Sequence, residues 1–361
     1  MRGYSPKAWK RQQCHDAAGV LILYPTQGFE ETLMKTRRQI LQSGTALGLS
    51  LPTLGKAQAA WPNRPVRILI GSSAGGSVDI PTRALAARLT QRYQQQFLVD
   101  NKAGAGGVIA AQAVVKADPD GYTWLSAGPA ELFNSSFIWA NSGRAFPYDP
   151  VKDLVPAALI QRGAGVLVVP PSLGVSNWQE LLKLARDRPG TLNIAIGSIG
   201  ATTHLASELL KREAKIDITI VPYRDSGQMF VDLKTGRIQM LISTPFEVVE
   251  PIKRGELRGI AVSHIKRIDV MPDIPTFAEL GLPKVVNLPF IALCAPAGTP
   301  ASITQELNRA TIEEIAGGIN KPALTPFGRE SPPMTQTELV AFIASERERS
   351  EHIVKTANIK L

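Results

Sequence analysis

The sequence predicts an α/β protein in two domains, and three observations predict it. Short apolar runs alternate with stretches of helical periodicity along most of the 361 residues, the pattern of a parallel sheet with helices on both faces. Two of those runs, Val66 to Ile70 and Leu192 to Ile196, end in loops of small residues. They are Gly71-Ser72-Ser73-Ala74-Gly75-Gly76-Ser77-Val78-Asp79 and Gly197-Ser198-Ile199-Gly200-Ala201-Thr202-Thr203-His204. Between them a Pro- and Asp-containing stretch, Phe146 to Pro150, interrupts the alternation, which then restarts.

Taken in order, the strand Val66–Ile70 leads through the first loop to a helix over Ile80–Tyr93, where Ile80, Ala84 and Ala87 recur at helical spacing beside Leu85 and Leu89. Phe97–Asp100 reads as a short strand, Asn101 to Gly107 as a Gly-rich turn, and Val108–Ala117 as a helix. The turn Asp118-Pro119-Asp120-Gly121 precedes the strand Tyr122–Ser126. Apolar runs at Val155–Ile160 and Val166–Val169 mark a first crossing between domains. The pattern then gives helix Trp178–Arg186, strand Leu192–Ile196, the second loop and helix Thr203–Arg212. Strand Ile218–Val221, helix Gln228–Thr235 and strand Ile238–Ile242 follow. Leu257–Val262 and Phe290–Ala295 read as return strands. Helices over Ala301–Ala316 and Thr335–Ala357 close the chain, the second opened by a capping box of Thr335 and Glu338. The expected domains are therefore 60–159 with 290–361, interrupted by 160–289.

Composition bounds the function. The chain is 44% hydrophobic and 20% charged, with net charge +9. Residues 1–59 carry eight Lys/Arg against three acids, so the remainder holds 32 basic and 28 acidic residues, a net +4. No basic run carries interleaved aromatics, which argues against nucleic-acid binding. Residues 34–59 read as a cleaved export signal: Lys35, Arg37 and Arg38, then a mildly apolar segment from Ile40 to Leu54, then Ala57-Gln58-Ala59. Thr36-Arg37-Arg38-Gln39-Ile40-Leu41 has the form of a twin-arginine signal, and a general secretory signal is the plainer reading. Residues 1–33 read as a non-native N-terminal extension ahead of a true start at Met34. Of the two cysteines, Cys14 and Cys294, the second lies in an apolar run and reads as a small buried hydrophobe.

Each small-residue loop joins a strand end to a helix start. Such a junction offers unpaired backbone N–H groups and the positive end of a helix dipole, which hold an anion without a side-chain cation. Two of them suggest half-sites facing each other across a cleft. Gly71-x-Ser73-x-Gly75 also matches a nucleophile elbow, with Ser73 as nucleophile and His204, His264 or His352 as base. Its place on the first strand, before a hydrolase sheet exists, counts against that reading. Gly104-x-Gly106-Gly107 departs from a dinucleotide fingerprint because residue 109 is Ile. Asp79 reads equally as a helix-start acid or a partner for a ligand hydroxyl or amine. His204 reads equally as a ligand donor or a helix-start histidine satisfied by its neighbours. The four histidines are widely separated, so no metal site and no cofactor is expected.

Several stretches carry a resemblance. They are Trp61 to Ile68, the first loop through Asp79, Val99 to Gly107, Ala117 to Thr123, Tyr148 to Leu154, Val221-Pro222-Tyr223-Arg224, Asp273-Ile274-Pro275-Thr276 and Ala295 to Pro300. In this order, from Trp61 to the C-terminus, the chain resembles the Bug family of extracytoplasmic solute receptors, the binding subunits of tripartite tricarboxylate transporters. The resemblance implies a two-domain periplasmic binding protein fold of type II-like architecture, with the ligand cleft between the domains. It implies a periplasmic, monomeric receptor that catalyses nothing. Its partners would be a small carboxylate ligand and membrane transporter subunits. Carried over residue by residue, the ligand would be held by Ser73, Ala74, Gly75, Gly76 and Asp79 on one side. Ser198, Gly200, Ala201, Thr202 and His204 would face them. The chain departs from the family's pattern at Ser72-Ser73, at Ile199 and Ala201, at Asp225, Gln228 and Met229, and at Gln239 and Ser243. A secreted serine hydrolase and a ligand sensor for a membrane signalling partner are the alternative readings.

Overall fold

The computed structural model describes residues 61–197, 199–223, 226–286, 288–319 and 330–361. The expected leader at 34–59 and extension at 1–33 lie outside them. Ten strands form two five-stranded sheets. The first has the order β2-β1-β3-β10-β4 and consists of β1 (Val66–Ile70), β2 (Phe97–Asn101), β3 (Thr123–Ala127), β4 (Leu154–Arg162) and β10 (Phe290–Pro296). The second has the order β7-β6-β8-β5-β9. Its strands are β5 (Val166–Val169), β6 (Asn193–Ile196), β7 (Thr219–Pro222), β8 (Met240–Ser243) and β9 (Arg258–Val262). Each sheet with its covering helices is called a lobe below.

Neither sheet is wholly parallel, which corrects the expectation drawn from the alternation. β1 runs parallel to β2 and β3, and β6 parallel to β7 and β8. β10 runs antiparallel to β3 and β4, and β5 antiparallel to β8 and β9. The reason is the crossings. β4 passes into β5 through Gly163-Ala164-Gly165 alone, too short for the crossover that a parallel neighbour needs. The strand that enters a new sheet therefore starts at the end where its predecessor left, and runs against the others. β10 also starts at this boundary, where Pro289 meets Gly163, but it arrives there through the long segment 263–289.

Side chains alternate across each strand, and the cores show it. On one face of the first sheet Ile68 and Trp124 pack with Leu85 and Leu89 of α1 (Asp79–Tyr93) and Leu307 of α8 (Ala301–Glu314). On the other, Leu69 and Leu125 pack with Val108 and Val114 of α2 (Val108–Val115), and with Phe133 and Leu339. In the second sheet Leu167, Ile194 and Met240 meet Trp178 and Leu181 of α4 (Trp178–Asp187) and Leu210 of α5 (Thr202–Glu213). Val168, Ala195 and Leu241 meet Leu233 of α6 (Ser226–Lys234) and Val248 of α7 (Pro245–Lys253). The last helix, α9 (Gln336–Thr356), begins at the Thr335–Glu338 capping box with both reciprocal hydrogen bonds made. Additional to the expected elements are α7, a short 3-10 turn Pro171–Leu173, and a π-helical turn Ala130–Asn134 that runs into α3 (Ser135–Asn141).

The crossings are laced together. Gly163 N–H donates to the Pro289 carbonyl at 2.8 Å, and Ser263 N–H to the Gly165 carbonyl at 2.8 Å. Arg162 and Glu330 exchange both backbone hydrogen bonds, and Arg162 Nε donates to Glu330 Oε1 at 2.6 Å. The C-terminal ends of β1, β3, β6 and β8 lead to this boundary, the end of an α/β sheet where ligands bind.

Candidate functional site

A cavity of about 400 Å³ lies between the two sheets and is lined by the loops after those four strands. Gly71, Ser72, Ser77 and Val78 come from the first loop, and Gly128 to Glu131 from the segment after β3. Gly197 and Ala201 to Thr203 come from the second loop and the start of α5; Ser243, Thr244 and Glu247 follow β8. Gly106 of the Gly-rich turn, Gln161 at the end of β4, and Phe290 and Ile291 at the start of β10 also line its first-lobe side. Among the described lining residues there are two carboxylates, Glu131 and Glu247, and no Lys, Arg or His.

The first loop is braced from within. Asp79 is 2% exposed. Its carboxylate accepts the Gly75 N–H at 2.9 Å, Arg83 Nε at 2.9 and 3.0 Å, and Asn101 Nδ2 at 2.9 Å. Asn101 Nδ2 also donates to the Ser72 carbonyl at 3.0 Å. Burial disfavours the Asp79 charge, yet Arg83, Gly75 and Asn101 outweigh it and hold the carboxyl below its ordinary range. Of the first-loop residues expected to hold a ligand, Ser73, Ala74, Gly75 and Gly76 form the outer crest of this loop, and none of them lines the cavity. Asp79 also stands apart from the lining and ties the crest to α1. Replacing Asp79 with Ala is expected to cost about 2–3 kcal/mol, because three donors lose their acceptor. The carboxyl is depressed in the fold, so its stabilisation is present above its unfolded pKa and is lost as pH falls through the folded one. Urea unfolding at neutral and acid pH checks both: the gap between parent and Asp79→Ala should close on acidification.

In the second loop Ser198 lies outside the described residues. Gly200 is at φ +86°, and a methyl there would sit 3.2 Å from Ile138 Cδ1 of α3. Its carbonyl accepts Asn134 Nδ2 at 2.9 Å, a hydrogen bond between the lobes. Its N–H donates to His204 Nδ1 at 3.1 Å. Burial pulls His204 down to about 4, so near neutrality the ring is uncharged and that nitrogen is free to accept. His204 is thus satisfied within its own loop and is absent from the lining, as is Gly200. Ala201 and Thr202, at the start of α5, do line the cavity. Leu205, one turn on, packs with Ile138, Ile353, Val354 and Ile359 of the first lobe.

The cavity also holds residues that no motif had marked. Glu131 sits in the π-helical turn. Its Oε2 accepts the Gly128 N–H at 3.0 Å, and burial pushes its carboxyl up to about 7. Its side chain lies where Gly71 and Gly107 leave room; a methyl on Gly107 would stand 2.0 Å from Glu131 Oε1. The Tyr148 hydroxyl donates to the Glu131 carbonyl at 2.6 Å. Glu247 accepts from the hydroxyls of Ser243 and Thr244. The available signal was positional: Gly128-Pro129-Ala130 and Ser243-Thr244-Pro245 also follow strands and open helices. Nothing supports the hydrolase reading: His204 is engaged with Gly200, His264 lies against Lys266 and Glu330, and His352 stands on α9 outside the cavity lining.

A family model, "Tripartite tricarboxylate transporter family receptor", matches residues 82–359. BugT of Bordetella pertussis is 33% identical over 320 residues, 87% of this chain and 97% of that one. An R. palustris protein solved with adipate superposes with a TM-score of 0.76 at 33% identity, covering 83% of this chain and 99% of that one. MatC from Rhodopseudomonas palustris, with bound malate, gives 0.73 at 26%, covering 81% and 99%.

Proposed function

This chain belongs to the tripartite tricarboxylate transporter receptor family, and from that premise we propose that it captures a small carboxylate-bearing solute between its lobes in the periplasm and passes it to membrane transporter subunits. The observation that carries the reading is the cavity itself: about 400 Å³, the size of a small-molecule cleft, at the strand ends where two lobes meet. The start of α5 supports an anion there, since Thr202 and Thr203 line the cavity at a helix N-terminus. Two relatives of the same fold were solved with dicarboxylates, adipate and malate. Of the residues expected to hold a ligand, Ala201 and Thr202 line the cavity, and Ser73, Ala74, Gly75, Gly76, Asp79, Gly200 and His204 serve in this reading by holding the two loops in shape. In this reading the protein works as a monomer, reaches the periplasm on a cleaved leader and performs no chemistry, so no residue is assigned a catalytic role.

Binding favours the arrangement in which the lobes touch, through a shift of populations. A carboxylate panel screened by thermal unfolding tests the reading. A ligand at a hundred times its Kd stabilises by about 2.7 kcal/mol, a rise of roughly 5 °C or more for a chain of this size. A panel in which no carboxylate raises the melting temperature refutes it.

A further inference from the structure

We propose that the protein carries a second ligand site, separate from the cleft, in which an amphipathic monocarboxylate lies between α5 of the second lobe and α9 of the first and holds the two together. A cavity of about 480 Å³ opens there, and its lining shares no residue with that of the cleft. Its volume is that of a small-molecule site. Glu208, Leu209, Arg212 and Glu213 of α5 form one wall, flanked by Ile265 and Lys284 of the same lobe. Arg349, His352, Ile353 and Thr356 of α9 form the other.

The floor is apolar and belongs to both lobes. Leu209 follows Leu205 by one helical turn, and Ala357 follows Ile353 by one, so each pair shares a helix face. Leu209 and Ala357 pack against the cluster through which the lobes touch. A smaller cavity joins the two larger ones. It is lined by Pro129 and Thr202, which also line the cleft, and by Leu209, Val286, Arg349 and Ile353, which also line the second cavity. One helix, α5, therefore starts in the cleft and ends in this site.

Charge sets the head group. The lining holds three permanent cations, Arg212, Lys284 and Arg349, against two carboxylates, Glu208 and Glu213. Lys284 Nζ answers Glu213 at 3.8 Å. Glu208 lies 3.8 Å from His204 Nε2, and burial raises its carboxyl. Arg349 Nη2 meets Glu346 at 3.2 Å, and its guanidinium has N–H donors to spare. The Arg212 side chain has no hydrogen bond or ion pair among the described residues. A guanidinium fork suits a carboxylate, and two forks, one from each lobe, converge here. The two acids disfavour a second negative charge on the ligand, and the apolar floor takes a hydrocarbon body.

The probe is octanoate, with ω-bromooctanoate to locate it. Crystals soaked in the bromo compound should show anomalous scattering from bromine between α5 and α9. By calorimetry Arg212→Gln and Arg349→Gln should each weaken octanoate binding about tenfold. Octylamine, with the same chain and the opposite charge, should bind at least tenfold more weakly than octanoate. Melting temperatures without ligand confirm the fold of each variant. Should Arg349→Gln unfold for want of a cation beside Glu346, His352→Ala reads the same wall, and about threefold weakening is expected. Bromine in the cleft alone, or nowhere, overturns the second site and leaves the receptor reading standing. Octylamine binding as tightly as octanoate, or an Arg212→Gln protein that binds octanoate like the parent, overturns the head-group assignment. Weakening by the variant of one lobe only shows that the ligand does not bridge them.

Discussion

Replacing Gly71 with Ala should destabilise the protein by about 3 kcal/mol and disable the cleft, whereas Gly75→Ala, four residues along, should cost only about 1 kcal/mol. The two glycines differ in what surrounds them. A methyl on Gly71 would stand 2.4 Å from the Gly107 Cα and 2.9 Å from Glu131 Oε1. A backbone atom cannot step aside as a flexible side chain can, so the loop must lift from the 104–107 turn. Overpacking of that kind costs roughly 1–3 kcal/mol and at times more. Gly75 meets nothing within 4 Å, but it lies at φ +75°, where an L side chain pays about 1–2 kcal/mol. Urea unfolding measures both. Equal costs would show that the approach of Gly71 to Gly107 is not what sets this wall of the cavity.

Leu205→Ala should weaken ligand binding by about thirtyfold while changing the stability of each lobe little. Leu205 is 3% exposed because Ile138, Ile353, Val354 and Ile359 of the first lobe cover it. Those contacts exist only while the lobes touch. Removing buried methyl groups costs about 2 kcal/mol at the low end of the leucine-to-alanine range, and here the loss falls on the ligand-bound arrangement. A free energy of about 2 kcal/mol is close to thirtyfold in Kd. Leu210→Ala, one and a half turns along the same helix, is the contrast. Leu210 is buried within the second lobe, so its loss should lower the melting temperature and leave Kd alone. If the two variants change Kd equally, Leu205 is not a latch between the lobes.

Much of the architecture was legible because apolar runs and helical periodicity survive in a linear reading. The Thr335–Glu338 capping box is local chemistry, and α9 begins there. Direction was not legible: Phe290–Pro296 is buried along its whole length, and an apolar run reads the same either way. α7 carries Pro245 at its start and Pro251 inside, which disguises a helix as a loop. Ala130–Asn141 is too short to show a period. At the site, the two loops were visible as strand-to-helix junctions. Which of their atoms face the cavity depends on Asp79 drawing the crest onto α1 and on Gly71 abutting Gly107. The Asp79 brace to Gly75 and Arg83 is local, but Asn101, which completes it, and Gly107 lie on distant segments of the chain, and no local motif encodes those contacts.

The position of β10 governs the order in which the molecule can be made. It lies between β3 and β4, yet the whole second sheet is encoded between β4 and β10. As the chain is synthesised, β3 must wait with one edge unpaired, and β4 with no strand partner, until the second sheet has been spelled out. Such distant pairing slows folding and leaves sheet edges open to association. A nascent chain cut short between Val262 and Phe290 would carry all the strands of the second sheet and only a divided first one.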